Sequence, residues 1–384
     1  MGVPNRSKRA SVALKTCGAT GLVIVAILGL VFAQSTSGQK RHTTKGAKPT
    51  PTPTPTSNLN RLGPPPPVPQ LRKQPEAEAK PSDVIKVETT EVMLPVTVRD
   101  ASGKLVSDLT RTDFHVFEDN LEQPLSDLAL RQVPVDVVLM VDASSSVAAN
   151  LDDFRRAAER FASQLDPQDR LSLIKFDDRV ELLQDWTSSR FQLHRALSRI
   201  ETGMFTRFND ALLLAARDQF APTKSRRAII ILSDGIDSGR GTASIEQALQ
   251  ALLTTQVTVY VISNTEISRA TKRAQLDSLL ASDSAKINQI QIDDLRLGLR
   301  TLDDSEMKLQ QLADATGGRL YKPLSFAQLD DAYHEVADEL RRQYAIYYTP
   351  LNKTRDGSFR RVRVETSQPQ FKTSTRIGYY TPRG

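Results

Sequence analysis

Val135–Val141 (VDVVLMV) runs straight into Asp142-Ala-Ser144-Ser-Ser146. The first seven residues are almost continuously apolar and β-branched, which fits a strand buried on both faces. The next five switch to carboxylate and hydroxyl side chains. Open parallel sheets bind ligands beyond the carboxyl ends of their strands, so this junction is where a ligand is expected. The alternation continues outward. Phe154–Leu165 reads as an amphipathic helix, Arg170–Phe176 (RLSLIKF) as a strand and Val180–Leu183 as a short one. Helices are predicted over Phe191–Ile200, Ala211–Phe220 and Ile245–Leu253. Between them fall two more apolar runs, Ala228–Leu232 (AIIIL) and Val257–Ile262 (VTVYVI). Met307–Ala315 is a helix closed by Gly317-Gly318, and Phe326–Arg342 a last long one. Strands alternating with helices predict an α/β fold with a doubly wound, mostly parallel sheet over residues 133–342. Residues 264–304 are polar, weakly helical and longer than a normal connection, so they read as a mobile surface insertion.

On both flanks the pattern is purely β. Val84–Val98 alternates, Asp100-Ala-Ser-Gly103 is a turn, and Phe114–Glu118 is a strand closed by Asp119-Asn120, where Asn tolerates positive φ. After the last helix come Tyr344–Tyr348, Phe359–Glu365 and Thr373–Tyr379. Strands stranded at both ends predict one small β domain, built by residues 84–132 pairing with 343–384 around the inserted α/β domain.

The chain has 384 residues and a net charge of +6, but the excess is local. Residues 1–83 hold 12 Lys/Arg against 3 Asp/Glu, and the remainder 39 against 42. A nucleic-acid-binding fold would carry its basic excess on the folded body, so no nucleic-acid partner is expected. The single Cys, Cys17, rules out a disulfide framework or Cys-based zinc site within the chain. Arg6, Lys8, Arg9 and Lys15 precede the uncharged run Gly18–Ala33, so residues 1–33 read as a signal peptide or N-terminal membrane anchor. Either reading exports the rest of the chain, to the periplasm, cell envelope or exterior. Residues 34–82 contain 11 of the 21 prolines and read as an extended linker without a packed core.

Three loops bring oxygen donors to one edge of the expected sheet. They are Asp142-Ala-Ser144-Ser-Ser146, Thr206-Arg-Phe-Asn-Asp210 and Ser233-Asp234-Gly235. Hard oxygen donors without thiolate or imidazole suit Mg²⁺, with Mn²⁺ and Ca²⁺ also compatible. The same residue types also serve as helix N-caps and turns.

Asp142-x-Ser144-x-Ser146, then Thr206, then Asp234-Gly235 resembles the metal-ion-dependent adhesion site of von Willebrand factor type A domains. The resemblance implies that Ser144, Ser146 and Thr206 ligate the ion directly, with Asp142 and Asp234 acting through waters. It also implies that a carboxylate of a protein partner completes the shell. The chain departs from the family's frequent Gly-Gly-Thr, having Gly203-Met-Phe-Thr206. DFHVFEDN, LSDGIDS and YYTP…DGSFRRVRV…GYYTP further resemble the bacterial exported group related to this family, over residues 85–384.

The expected function is an exported binding module that recognises an acidic group on a protein partner through a divalent metal. The alternative is a structural or assembly component of the cell envelope with metal-independent contacts. An enzyme is not expected. No Gly-x-Ser-x-Gly elbow, Walker loop or His-Glu-x-x-His is present, and His194 falls on a helix surface. Arg226-Arg227 and Arg341-Arg342 read as solvated heads. Arg360-Arg361-Val-Arg363 reads as a strand with its charges outward. Asp177-Asp178 reads as a turn, and Trp186 as packing.

Overall fold

The computed structural model describes residues 91–130, 133–145, 150–220, 225–281 and 288–383. The expected signal or anchor (1–33), the linker (34–82) and the start of the first β segment lie outside the described residues. Among the described residues no helix is long and apolar enough to cross a membrane.

The N-terminal segment supplies β1 (Val92–Arg99), β2 (Phe114–Glu118), β3 (Leu121–Gln123) and β4 (Leu125–Leu130). The α/β layer follows as β5 (Val135–Asp142), α1 (Leu151–Gln164), β6 (Arg170–Phe176), β7 (Val180–Thr187), α2 (Arg190–Leu197), α3 (Phe208–Leu214), β8 (Arg226–Leu232), α4 (Ile245–Thr254) and β9 (Thr258–Ile262). It closes with α5 (Thr265–Leu280), α6 (Gln289–Thr316), β10 (Leu320–Tyr321) and α7 (Leu329–Arg342). The C-terminal segment is β11 (Tyr344–Tyr348), β12 (Phe359–Thr366), β13 (Lys372–Ser374) and β14 (Gly378–Tyr380).

The central sheet runs β10-β9-β8-β5-β6-β7, parallel except for β7, which pairs antiparallel with β6. Every residue of β5 is buried. Val135, Val137, Leu139 and Val141 face α1, α2 and α7, while Val138 and Met140 face α3, α4 and α6. That two-sided burial is why β5 carries no apolar–polar alternation. The strand order reverses between β5 and β8, whose carboxyl ends therefore flank a crevice.

The flanking strands form two four-stranded sheets, β13-β1-β11-β4 and β14-β12-β2-β3. They share one core, in which Leu94 and Val96 of β1 and Tyr344 and Ile346 of β11 meet Val116 of β2 and Val362 and Val364 of β12. Tyr344 stands edge-on to Phe114, with ring centroids 5.0 Å apart. The predicted strand Thr373–Tyr379 is in fact two strands in different sheets. Thr375–Ile377 crosses between them, tied down where the Thr375 hydroxyl donates to Pro95 O (2.9 Å) and the Ile377 amide to Ala315 O (3.0 Å). α7 leads directly into β11, and its buried Glu339 accepts from Thr97 (3.0 Å), Tyr321 (3.0 Å) and Arg99.

Three further expectations are corrected. Residues 264–304 are not a loose insertion but α5 and most of α6, clamped by Arg269. Its guanidinium pairs with Glu266, with Asp303 (2.9 Å) and with Glu306 (2.9 Å). Arg226 is not solvated; it is buried and donates to Val133 O (3.0 Å) and Leu340 O (2.6 Å). Arg360 points inward, against Glu118 at 3.0 Å, while Arg361 and Arg363 point out.

Candidate metal centre

Asp142 ends β5 and is fully buried. Its Oδ1 accepts the Ser144 amide (3.0 Å) and its Oδ2 the Ser233 hydroxyl (2.6 Å). Burial and the nearby Asp234 carboxylate push its pKa up to about 7, against the pull of hydrogen bonds from Ser233 and Ser144. Asp234 follows β8 and is itself buried, so its pKa is also raised, chiefly by desolvation. The Ile236 amide donates to its Oδ1 at 3.1 Å, and Lys272 of α5 offsets part of the shift. Two carboxylates thus share one buried crevice at the strand-order reversal. Like charges in low dielectric repel, and the pair is costly unless protonated or given a cation.

Thr206 is buried in the loop ahead of α3, and that loop is fixed from three sides. The Gly203 amide donates to Ala143 O at 2.8 Å, stitching the loop to the one after β5. The Asp177-Asp178 turn lies beneath it. Asp178 accepts the Met204 amide (3.0 Å), and Asp177 O accepts the Arg207 amide (3.2 Å). A Cβ at Gly203 would stand 2.7 Å from Asp178 Oδ2 and 2.8 Å from Asp177 Cγ, so only glycine allows this approach. Lys175 holds Asp177 from below at 2.8 Å. On the third side, Ser238 donates to Thr206 O through its amide (2.9 Å) and its hydroxyl (2.8 Å). The bulkier Met204-Phe205 segment is accommodated because Met204 turns outward, 75% exposed.

Of the five residues read from sequence, Asp142, Ser144, Thr206 and Asp234 lie on the three loops at this edge; Ser146 lies outside the described residues. The donors on view are two carboxylates and two hydroxyls. Among the described residues there is no cluster of three or more His, Cys, Asp or Glu. A hard divalent cation that keeps some of its water fits such a set. Ser144 and Thr206 would hold it, with Asp142 and Asp234 supplying charge.

Two residues support the site in ways the sequence reading did not assign, Ser233, named there only within its loop, and Ser305. Ser233 both orients Asp142 and accepts the Gly235 amide at 2.9 Å. Its place just before Asp234 was a usable signal. Ser305, on α6, donates to Asp234 O and pins the loop after β8 from 71 residues away, with no local signature. Gly235 there has φ +70° and packs against Leu309 of α6.

The family model for the von Willebrand factor type A domain matches residues 136–305. The chain contains a von Willebrand factor type A domain. The matched stretch ends inside α6, whereas the type A sheet continues to β10 and α7. Similar solved structures include the conserved hypothetical protein BatB from Bacteroides thetaiotaomicron. It is 26% identical over 34% of this chain and 66% of that one, with a TM-score of 0.30. A von Willebrand factor type A protein from Catenulispora acidiphila is 15% identical over 60% of this chain and 50% of that one, at 0.40. The mussel byssus proximal thread matrix protein 1, with a zinc-occupied adhesion-site motif, is 15% identical over 59% and 50%, at 0.42. The chain spans from half to 66% of the length of these three. No curated protein matches it.

Proposed function

We propose that this protein is an exported binding module whose type A domain holds a divalent cation and uses it to capture an acidic group of a protein partner. The observation that carries this reading is the buried pair Asp142 and Asp234, both raised in pKa by burial, Asp142 also by the charge of Asp234, with the Ser233 hydroxyl on Asp142. A bound divalent cation would neutralise both carboxylates and offer an open coordination position to a partner's carboxylate. The chain's own residues do the rest. Ser233 and Ser144 hold Asp142 in place, Ser238 and the Asp177-Asp178 turn hold Thr206, and Ser305 holds the Asp234 loop.

A binding role is favoured over catalysis because, among the described residues, no histidine stands beside the site's hydroxyls. His115, His194 and His334 pair with Glu122, Glu159 and Gln164 on the surface. Mg²⁺ is the favoured ion for oxygen donors of low total charge, with Mn²⁺ and Ca²⁺ as alternatives. Export rests on the N-terminal sequence, which leaves attachment to a membrane through residues 18–33 as part of the proposal. The test is calorimetric titration of Mg²⁺, Mn²⁺, Ca²⁺ and Zn²⁺ into the protein and into Asp142→Asn. Saturable Mg²⁺ binding in the parent and none in the variant is the expected result. Absence of binding by every ion would remove the metal from the proposal.

A further inference from the structure

We propose that Arg240, seated on Phe205, forms a second anionic subsite beside the metal centre, and that the partner is a peptide segment carrying two acidic side chains. This rests on the metal-dependent reading above: one acid completes the metal shell and the other meets the guanidinium.

Arg240 Cζ lies 3.6 Å from the centroid of the Phe205 ring, a close cation–π contact. Phe205 directly precedes Thr206, and Arg240 lies two residues beyond Ser238, which is bonded to Thr206 through backbone and side chain. The guanidinium is therefore fixed against the residue next to a proposed metal donor. Stacking gives its N–H donors no acceptor. Among the described residues Arg240 has no ion-pair partner, whereas neighbouring Arg207 faces Asp210 at 3.7 Å.

The acids around it are already engaged by backbone amides, most of them from neighbouring segments. Asp237 accepts from Asn209 (3.0 Å) and Gly239 (2.7 Å), Asp210 from Thr242 (2.9 Å) and Ala243 (2.8 Å), and Asp178 from Met204 (3.0 Å). The rim thus holds these carboxylates as structural acceptors, while Arg240 is exposed and oriented by the Phe205 ring. Arg presents a planar fork of donors that matches a carboxylate bidentately. Met204, on the same loop, is exposed and available for apolar contact with the partner.

The experiment uses immobilised peptides. One carries a single aspartate in a glycine–serine background. Four others add a second aspartate one to four residues further on. Binding of the purified protein is measured in Mg²⁺ and in EDTA. The parent should bind the best two-acid peptide about tenfold more tightly than the one-acid peptide in Mg²⁺, the gain expected of one charge-assisted pair. Arg240→Gln should lose that preference while unfolding at the parent's temperature, and Arg240→Lys should recover part of it. If the parent shows Mg²⁺-dependent binding without a two-acid preference, or Arg240→Gln keeps the preference, the subsite is wrong and the metal reading stands. If no peptide binds in a metal-dependent way, both fall together.

Discussion

The β sandwich and the type A domain each bury an acidic centre, and they treat it in opposite ways. In the sandwich, Glu118 is paired with Arg360 at 3.0 Å and accepts the hydroxyls of Tyr348 and Tyr379, both at 2.8 Å. Every side chain in that cluster has its partner within the protein. In the type A domain, Asp142 is buried just as deeply, but the charge that acts on it is another carboxylate, Asp234. Burial alone therefore does not mark function. What separates the two is where the compensating charge comes from: the chain itself in one case and, in the function proposed above, an outside cation in the other.

The largest expected effect breaks the self-sufficient side. Glu118→Gln strands the buried Arg360 guanidinium and should cost about 3–5 kcal/mol in denaturant unfolding, with or without metal. If the loss is much smaller, the cluster is not the internally compensated centre described. Next comes the other side. Mg²⁺ at about 100 times its dissociation constant should raise stability by about 2.7 kcal/mol, and Asp142→Asn should abolish the increment without destabilising the metal-free protein. A metal-free Asp142→Asn protein as damaged as Glu118→Gln would erase the distinction.

A third prediction concerns pH in the absence of metal. Asp142 has an ordinary value of 3.8 unfolded and about 7 folded, so the native state holds an extra proton between them. Its contribution to stability is fully present below 3.8 and is lost as pH rises through 7. Saturating Mg²⁺ should flatten that slope. Thermal melts across this window, with and without Mg²⁺, read it directly, and Asp142→Asn should show the flat profile in both. The smallest effect is local. Gly203→Ala would push against the Asp177-Asp178 turn and shift the Thr206 loop. Mg²⁺ affinity should drop severalfold while stability falls by roughly 1 kcal/mol.

Much of this contrast was legible in the sequence on the type A side. Asp142, Ser144 and Asp234 follow apolar runs so continuous that the strand ends could be placed, and with them the loops. Arg226 and Arg360 were misread because a strand arginine defaults to the solvent. What seats Arg360 inside is Glu118, some 240 residues away, and no local pattern carries that. α5 and the first half of α6 were missed for a related reason, although the end of α6 was read as the helix Met307–Ala315. Only Thr265 and Arg269 of α5 are buried, so its helix is held by ion pairs to α6 and leaves little apolar periodicity to read. Thr206 was legible as a residue, while the clamp that positions it required Gly203, Ser238 and Asp178 to be seen together.

The threading of the chain through the sandwich sets an order of assembly. Val92 of β1 pairs with Tyr348 of β11, about 250 residues later. During synthesis at about 5–20 residues per second, β1 therefore waits ten seconds or longer for its partner strand. The type A domain, whose sheet pairs segments no more than about 90 residues apart, can close in that interval. Its last helix then delivers β11 to the waiting β1, so the nascent sandwich is the late and aggregation-exposed step. A ribosome-stalled chain ending after α7 should already protect β5 and β8 from proteolysis while β1 and β2 remain cleavable.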